Sequence, residues 1–347
     1  MNRYTTLDID GYEEVIRCDN RKVGFTAWIA IHNSNRGPAL GGCRVWHYEN
    51  EQAALTDVLR LSKGMTYKNA LARLPLGGGK SVVHTELNSV NRVALFEEIG
   101  NFVESLDGRY ITAEDVNSTL QDMAAVKRRT DYVATVGASG NPSPFTAYGV
   151  YCAIRASVRH KLKRKRLDEL TIAIQGVGET GGRLAQLLKR DNCRIIVADI
   201  NEDHIHRLRE KVDFELVEPD EIYQVSCDIF APCALGGILN SRTIPLLLCR
   251  IVAGSANNQL LTEEDGERLH RRDILYAPDY AANAGGVINI SCEIGQRYDE
   301  HKAMQLTAAI EKTLLEIYRL AGEQKLPTNV VANALAEDLF GLNATVY

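Results

Sequence analysis

Five short apolar runs recur in the second half of the chain, and this repetition limits the available folds more than any other feature. They span residues 171–175, 194–199, 228–232, 250–255 and 274–279. Most intervals between them are long enough for a helix, and alternating strands and helices predict a doubly wound parallel sheet. Each run ends in glycine or small polar residues. Because ligands bind at the carboxyl ends of the strands in open α/β sheets, we expect these endings to form one ligand-binding crevice.

A glycine-rich motif, Gly-Val-Gly-Glu-Thr-Gly at residues 176–181, follows the first run and opens a predicted helix. In a dinucleotide site, Gly176 would permit the tight turn and Gly178 would let the backbone approach a pyrophosphate. Gly181 would let the helix pack closely on the strand. The pyrophosphate would lie at the helix N-terminus, where free N–H groups point outward. The alternative is a glycine turn without a ligand.

Asp199 ends the second run, at the spacing expected for a carboxylate that accepts hydrogen bonds from the adenosine ribose. Asn201, Glu202 and Asp203 follow, with no adjacent arginine in the sequence. A 2′-phosphate would meet negative charge there, so the pattern favours NAD over NADP. The alternative role for Asp199 is a plain helix N-cap.

Two lysine motifs stand out in the first half of the chain. Lys68 ends Lys-Gly-Met-Thr-Tyr-Lys, and Lys80 ends Leu-Gly-Gly-Gly-Lys, just before a short apolar run. Three consecutive glycines cost backbone entropy and indicate a close approach to something. A lysine at the start of a buried strand, near a second ammonium group, is a candidate base, and Lys68 is the candidate neighbour. Lys68 is also suited to holding a substrate carboxylate. The alternative is that both lysines are solvated surface residues.

Asp115 ends the segment Thr-Ala-Glu-Asp, after another predicted strand. A carboxylate beside two ammonium groups suits proton transfer to and from a reacting nitrogen or oxygen atom. From the local sequence alone, a helix cap is an equally good interpretation of this residue.

Composition excludes several classes of protein. The 347 residues suggest roughly two domains, and 40 basic against 45 acidic residues give a net charge of −5. No apolar stretch approaches the roughly 20 residues of a membrane helix. The N-terminus has no signal pattern, and the eight cysteines show no CxxC pair or zinc-finger spacing. We therefore expect a cytoplasmic protein without a metal site or a membrane partner.

The only strong charge run, residues 159–166, can mark a nucleic-acid patch. The negative net charge and the lack of interleaved aromatic residues favour a solvated connector and no nucleic-acid partner.

The other patterns predict a mixed first half and a boundary after it. Strands are expected at 23–32, 81–84 and 109–113, and helices at 55–65, 96–106, 147–157, 302–322 and 328–340. The segment 137–144, rich in glycine, serine, asparagine and proline, predicts a loop at a hinge or domain boundary.

Eight stretches together resemble the glutamate/leucine/phenylalanine/valine dehydrogenase family, and most closely its leucine-specific members. They are GPALGGCR (37–44), RLSKGMTYKNA (60–70), LGGGK (76–80), GRYITAEDV (108–116), SGNPSP (139–144), APCALGG (231–237), AGSANNQL (253–260) and YAPDYAANAGGVIN (276–289). The resemblance covers nearly the whole chain. It implies reversible oxidative deamination of an L-amino acid to a 2-oxo acid and ammonia, with reduction of NAD.

The resemblance also implies a division of labour between two domains. An N-terminal mixed-sheet domain, residues 1–135 with a C-terminal helix at about 327–347, would carry the catalytic lysines and join subunits. A Rossmann-type domain, residues 136–326, would bind NAD, and the cleft between them would close on the substrate. The protein would be a homo-oligomer. The tail after Phe340 is shorter than in the octameric leucine enzymes, so a dimer is as well supported as an octamer.

Individual roles follow from the same resemblance. Lys68 would bind the substrate carboxylate, Lys80 would activate the water that attacks the imine, and Asp115 would move a proton at the amino group. Asn257 would contact both substrate and cofactor. The implied cofactor site comprises Arg44, Thr146, Gly176, Val177, Gly178, Glu179, Thr180, Gly181, Gly182, Asp199, Ile200, Ala234, Leu235, Ser255, Ala256 and Asn257.

Side-chain specificity is expected from Leu40, Ala113, Val287 and Ile290, again by resemblance. All four are aliphatic, which favours leucine or another branched-chain substrate. One methylene group in such a pocket is worth only about 1–3 kcal/mol, so discrimination among similar side chains is expected to be loose.

Two other functions are alternatives to a branched-chain dehydrogenase. An aromatic amino-acid dehydrogenase of a biosynthetic pathway shares most of the blocks. A sensor of NAD or amino acids without turnover would not need Lys68, Lys80 and Asp115. Two departures from the family pattern also stand out: Glu179-Thr180 adds a carboxylate near the pyrophosphate, and Asn117 replaces a common glycine.

Overall fold

The computed structural model describes residues 2–86, 90–134, 137 and 139–341, and it divides into two compact units. Unit 1 comprises Met1–Gly140, Ile290–Asp299 and Ala336–Tyr347, and unit 2 comprises Asn141–Asn289 and Glu300–Leu335. The expected boundary between residues 135 and 136 lies outside the described residues. The observed division differs from the sequence-based one because Ile290–Asp299 belongs to unit 1, and because the last part of unit 1 begins at Ala336 rather than at 327.

A six-stranded mixed sheet forms the centre of unit 1. Its strands are β1 (Arg3–Leu7), β2 (Glu14–Asn20), β3 (Phe25–Asn33), β4 (Ala39–Trp46), β5 (Gly77–His84) and β6 (Tyr110–Glu114). In space the order is β1-β2-β3-β5-β4-β6. The pairs from β1 to β5 are antiparallel, whereas β4 runs parallel to both β5 and β6. β4 therefore separates the strand that carries Lys80 from the strand that precedes Asp115.

Helices cover both faces of this sheet. They are α1 (Glu51–Leu71), α2 (Arg92–Glu104) and α3 (Leu120–Lys127). α1 begins at Asn50, whose side chain accepts a hydrogen bond from the Ala53 amide, and it packs with Val58 against Trp28 and Val82. α2 and α3 pack apolar side chains, including Phe96, on the opposite face. The sheet is thereby buried on both sides.

The sheet of unit 2 is fully parallel. Its strands are β7 (Thr171–Gln175), β8 (Arg194–Ala198), β9 (Glu215–Leu216), β10 (Ile229–Pro232), β11 (Ile251–Val252) and β12 (Leu275–Tyr276). The order is β12-β11-β10-β7-β8-β9, which is the strand order of the Rossmann fold, with its switch point between β7 and β10. The predicted doubly wound sheet is confirmed.

The remaining helices begin in unit 2. They are α4 (Ser143–Ser157), α5 (Glu179–Arg190), α6 (Glu202–Arg209), α7 (Glu264–Arg271), α8 (Asp279–Ala282), α9 (Gly285–Ser291), α10 (Glu300–Ala308), α11 (Ile310–Gln324) and α12 (Thr328–Phe340). The prediction of a single helix over 302–322 was wrong, because a turn at Ala309 divides this segment into α10 and α11. α4 begins at Ser143, near the end of the segment 137–144 that was predicted as a loop. Ala138 of that segment lies outside the described residues.

The basic run follows α4 as a π-helical turn, Val158–Leu162, and then a loop. Several of its cations pair with carboxylates of unit 2. Lys161 Nζ lies 2.5 Å from Asp273 Oδ1, and Arg166 Nε lies 3.2 Å from Asp168 Oδ1.

Other features of the described residues bear on the sequence predictions. Within that part of the chain, no helix is long and apolar enough to cross a membrane, and no group of three or more histidine, cysteine or acidic side chains is placed to hold a metal ion. All eight cysteines are free thiols.

His32 couples the stability of unit 1 to pH. Its ring lies near Tyr67 and Phe340, and its Nδ1 lies 2.9 Å from the Thr66 hydroxyl. Burial, with a smaller contribution from the positive charge of Lys63, lowers the pKa of His32 to about 4. The unfolded chain therefore binds this proton at higher pH than the folded chain does, so the stabilising contribution is complete above about pH 6.5 and is lost as the pH falls towards 4.

We expect His32→Gln to remove that part of the pH dependence. In urea unfolding, the free energy of unfolding should change between pH 7 and pH 4.5 by about 1–2 kcal/mol less in the variant than in the wild type. The value is this modest because water partly screens the half-buried ring. The exposed His206→Gln serves as the control. An identical pH dependence in wild type and His32→Gln would contradict the assignment.

Candidate functional site

Lys80 and Asp115 meet across β4, the strand that separates them. The side chain of Lys80, on β5, is only 6% exposed, and Asp115 directly follows β6. Lys80 Nζ lies 2.9 Å from Asp115 Oδ2. This approach depends on Gly42 of β4, where an added Cβ atom would lie 2.6 Å from the Cβ of Asp115. Any side chain at that position would displace the carboxylate.

Arg44 is the third member of this charged cluster. Its Nε lies 3.2 Å from Asp115 Oδ2, and its Nη1 lies 3.0 Å from Asp57 Oδ2. Burial lowers the pKa of Arg44, but the two carboxylates raise it by more, so the guanidinium stays charged. The structure thus places Arg44 beside the Lys80–Asp115 ion pair, and its assignment to the cofactor site stays a prediction.

The two cations keep Asp115 ionised. Burial raises the pKa of this carboxyl, but Lys80 and Arg44 lower it by more, so the pKa lies below its usual value. The Asp115 amide donates to the Ser118 hydroxyl at 2.9 Å, which fixes the turn that follows β6. Asn117 has φ +58°, a left-handed conformation that asparagine and glycine tolerate best, and this explains a residue that replaces a family glycine. The Asp115 side chain is therefore a carboxylate at neutral pH.

Lys68 lies in the last turn of α1, on a helix that packs directly against the start of β5. Two contacts define that packing. Asn69 Nδ2 donates to the Gly77 carbonyl at 2.6 Å, and a Cβ atom on Gly78 would lie 2.0 Å from the Thr66 amide. The close approach predicted from the glycine triplet is therefore to the protein's own chain.

The four positions expected to set side-chain specificity lie on three elements. Leu40 of β4 and Ala113 of β6 are buried residues of neighbouring strands. Val287 and Ile290 are half-buried and lie three residues apart on α9, which puts them on one helix face.

In unit 2, the glycine loop connects β7 to α5. Gly176 has φ +88°, which glycine adopts without strain, and its amide donates to the Ala198 carbonyl at 2.8 Å. The next amide, that of Val177, donates to Asp199 Oδ2 at 2.7 Å. Among the residues that the structure describes, no side chain caps the start of α5, so the first amides of this helix are available to an anion.

Two observations indicate that this loop is suited to binding a dinucleotide. An added Cβ on Gly178 would make only an ordinary contact, 3.5 Å from the His204 ring, so packing does not require glycine there. Ile200 and Leu235, which follow β8 and β10, are 88% and 74% exposed. Exposed apolar side chains beside an uncapped helix N-terminus suit an adenine ring and a pyrophosphate.

The other predicted cofactor residues also lie at loop or helix starts of unit 2. Thr146 is in the first turn of α4, and Ala234 follows β10. Ser255, Ala256 and Asn257 follow β11, and Asn257 Oδ1 accepts a hydrogen bond from Asn283 Nδ2 at 2.8 Å.

Within α5, Gly181 packs tightly, because its Cβ would lie 2.0 Å from the Gly176 carbonyl oxygen. Thr180 and Gly182 belong to the same first turns. The charge of Glu179 is offset by Arg183, whose Nη2 lies 3.4 Å away.

Comparison with known proteins assigns the family. Residues 13–132 match the Glu/Leu/Phe/Val dehydrogenase dimerisation domain, and residues 194–337 match Glutamate/Leucine/Phenylalanine/Valine dehydrogenase. The chain belongs to this family. It is accordingly an amino-acid dehydrogenase, from a family that depends on nicotinamide dinucleotides.

Individual relatives of this dehydrogenase differ in substrate. Leucine dehydrogenase of Geobacillus stearothermophilus is 43% identical over 97% of this chain and 93% of the relative. Phenylalanine dehydrogenase of Caldalkalibacillus thermarum is 40% identical over 97% of this chain and 94% of the relative. The crystal structure of L-tryptophan dehydrogenase from Nostoc punctiforme matches with a TM-score of 0.85 and 44% identity, covering 95% and 96% of the two chains. Identity alone therefore does not select one amino acid.

Gly178→Ala tests the dinucleotide site without disturbing the fold. We expect the NADH dissociation constant, measured by fluorescence titration, to rise about tenfold because the methyl group occupies the path of the pyrophosphate. The melting temperature should stay unchanged, since the added carbon has room. Gly322→Ala, at a helical glycine of unit 2 whose added Cβ would also have room, is the matched control. Unchanged NADH affinity in Gly178→Ala would speak against this site.

Proposed function

We propose that this enzyme oxidatively deaminates an apolar L-amino acid, with leucine and other branched-chain substrates preferred, using NAD. The amino acid, NAD⁺ and water give the 2-oxo acid, ammonium, NADH and a proton. The observation that carries the proposal is the cluster of Lys80, Asp115 and Arg44, in which a buried ammonium group and an ionised carboxylate lie 2.9 Å apart. Such a pair can move protons at a reacting nitrogen or oxygen atom.

Each polar residue of the site receives one role in this proposal. Lys68 binds the substrate carboxylate by a charge-assisted hydrogen bond. Asp115 takes a proton from the substrate amino group, which requires the ionised carboxylate that Lys80 and Arg44 maintain. When bound, NAD supplies the acceptor for the hydride that leaves the α-carbon. Lys80 then activates the water that attacks the imine, and Asn257 contacts the substrate.

NAD rather than NADP is supported by the charges after β8. Asp199 retains lone pairs for the ribose hydroxyls, although it already accepts hydrogen bonds from the Val177 and Asn201 amides. Glu202 and Asp203 follow in the first turn of α6. A 2′-phosphate near these three carboxylates would be repelled.

The preference for an aliphatic substrate rests on Leu40, Ala113, Val287 and Ile290. All four are aliphatic, and both members of the strand pair are buried. The second candidate is an aromatic substrate, phenylalanine or tryptophan. It is favoured by the 44% identity and TM-score of 0.85 to the tryptophan enzyme.

The wider setting completes the proposal. Unit 1 carries the catalytic lysines and associates with another copy of the chain, in line with the dimerisation-domain match over residues 13–132. Unit 2 binds NAD. The eight free cysteines favour a reducing compartment, the cytoplasm. The reacting partners are the amino acid, the 2-oxo acid and ammonia.

A substrate panel tests this function. The kcat/KM for NADH formation at alkaline pH is compared for Leu, Val, Ile, Phe, Trp and Glu, with NAD and with NADP. We expect Leu with NAD to be highest and Val, which lacks one methylene group, to follow within about 10- to 200-fold, because that group is worth about 1–3 kcal/mol. Ile, an isomer of Leu with its branch one carbon closer to the backbone, should also fall below Leu. A maximum with Phe or Trp would select the second candidate, and a preference for NADP would overturn the cofactor assignment. No turnover of any of them would overturn the function and favour the sensor.

A further inference from the structure

Asp57, on α1, extends the charged cluster of Lys80, Asp115 and Arg44 by one residue. It contacts Arg44, so positive and negative charges alternate through the four side chains. Its Oδ2 accepts hydrogen bonds from Arg44 Nη1 at 3.0 Å and from the Tyr48 hydroxyl at 2.7 Å. Its Oδ1 accepts from Arg60 Nη2 at 3.2 Å. The Asp57 side chain is only 14% exposed, so these are interactions of a largely buried carboxylate. No part of the proposed chemistry uses this residue.

Arg44 needs a second anchor to hold its orientation. It touches Asp115 through Nε alone, at 3.2 Å, and one hydrogen bond leaves a guanidinium free to rotate about that contact. Asp57 fixes the other side of the planar group through Nη1. Two carboxylates at two nitrogen atoms define the plane and the direction of the guanidinium. Arg44 in turn faces the oxygen atom of Asp115 that contacts Lys80.

We propose that Asp57 is a positioning residue of the reaction, which acts by holding Arg44 against the Asp115 carboxylate. This role rests on the proposed function. Tyr48 supports it from the loop after β4, by donating to the same oxygen atom of Asp57. Asp57 lies eleven residues before Lys68 on α1, which is close to three full helical turns, so one rigid helix places both the anchor and the substrate-binding lysine.

The test is a double-mutant cycle on kinetics. Asp57→Ala should lower kcat for leucine about tenfold while KM for leucine changes less than about threefold, because the loss is in orientation of the reacting groups. The primary isotope effect with α-deuterated leucine should rise as chemistry becomes slower. Asp57→Asn keeps an acceptor of the same shape and should recover most of the loss. Glu51→Gln, which removes a charge from the same helix away from Arg44, is the control.

The decisive comparison is in the Arg44→Met background. If Asp57 acts through Arg44, Asp57→Ala should change kcat less than about twofold there, since the group it positions is gone. The same tenfold loss in both backgrounds would overturn the role, as would a loss matched by a fall in melting temperature that Asp57→Asn does not reverse. If the wild type turns over leucine and Asp57→Ala has the same kcat, the positioning role is overturned but the proposed function is not. Absence of wild-type turnover would overturn the proposed function and this role with it.

Discussion

Lys80→Ala is expected to lower kcat for amino-acid oxidation about 10³- to 10⁴-fold, at the upper end of what a positioned acid or base contributes. Lys80 is buried, and its ammonium group lies 2.9 Å from Asp115, so no water-exposed lysine can substitute for it. The measurement is the initial rate of NADH formation at saturating leucine and NAD. The NADH dissociation constant should stay within about twofold of the wild type, because the glycine loop is untouched.

Lys80→Arg separates charge from proton transfer. Arginine preserves the ion pair with Asp115 but stays protonated at all working pH values, so stability should be kept while turnover is lost. Lys22→Ala, an exposed lysine of unit 1, is the control for loss of a positive charge. A kcat within tenfold of the wild type in both Lys80 variants would remove Lys80 from the chemistry.

Asp115→Asn is expected to lower kcat about 10²- to 10⁴-fold, since an amide cannot accept the substrate proton. It should also lower the free energy of unfolding. The amide removes the carboxylate that Lys80 and Arg44 share, and only Arg44 keeps another counter-ion, Asp57, so the change costs about 2–3 kcal/mol at a partly exposed site. The initial rate and urea unfolding report these two effects separately.

The pH dependence gives the Asp115 prediction a second check. A carboxyl group with a pKa lowered in the folded state stabilises the fold above the pKa of the unfolded chain, about 3.9. That contribution is lost as the pH falls through the folded-state pKa, so the stability difference between wild type and Asp115→Asn should narrow below about pH 4. Asp131→Asn, which removes an exposed carboxylate of unit 1, should show no loss of activity. A difference that stays constant down to pH 3 would contradict the ionised state assigned to Asp115.

The parallel sheet of unit 2 was predictable because each of its elements is local. Strands β7, β8 and β10 match the apolar runs to within a residue, and β11 and β12 lie inside theirs. The strand β9 was missed, since a two-residue edge strand has no periodicity to detect.

Most of the sheet of unit 1 was not predictable in the same way. β1 is exposed, so it lacks the alternation of apolar and polar residues that marks a half-buried strand. The pairing of β2 with β1 and β3 is a tertiary feature that local sequence does not encode. β4 contains adjacent glycines, at 41 and 42, which local propensity reads as a turn. The central position of β4 is set by pairing with β5 and β6, and such long-range pairing is absent from a local window.

The candidate site shows the same limit. Lys80 and Asp115 were recognisable from residue type and neighbouring sequence, but their contact across Gly42 follows only from the sheet order. Asp57 carries no motif in the sequence. Its importance depends on two partners, Arg44 and Tyr48, that the fold brings to it. The signal available was only an acidic residue at helical spacing from Lys68.

The most direct test of the central claim is the stoichiometry of one reaction. The purified wild-type protein is incubated with L-leucine and NAD, and NADH, ammonium and 4-methyl-2-oxopentanoate are quantified together with a parallel Lys80→Ala sample. The account predicts equal amounts of the three products from the wild type, and less than about one-hundredth of that rate from the variant. NADH without ammonium, or equal rates in both samples, would contradict amino-acid deamination at the Lys80–Asp115 pair.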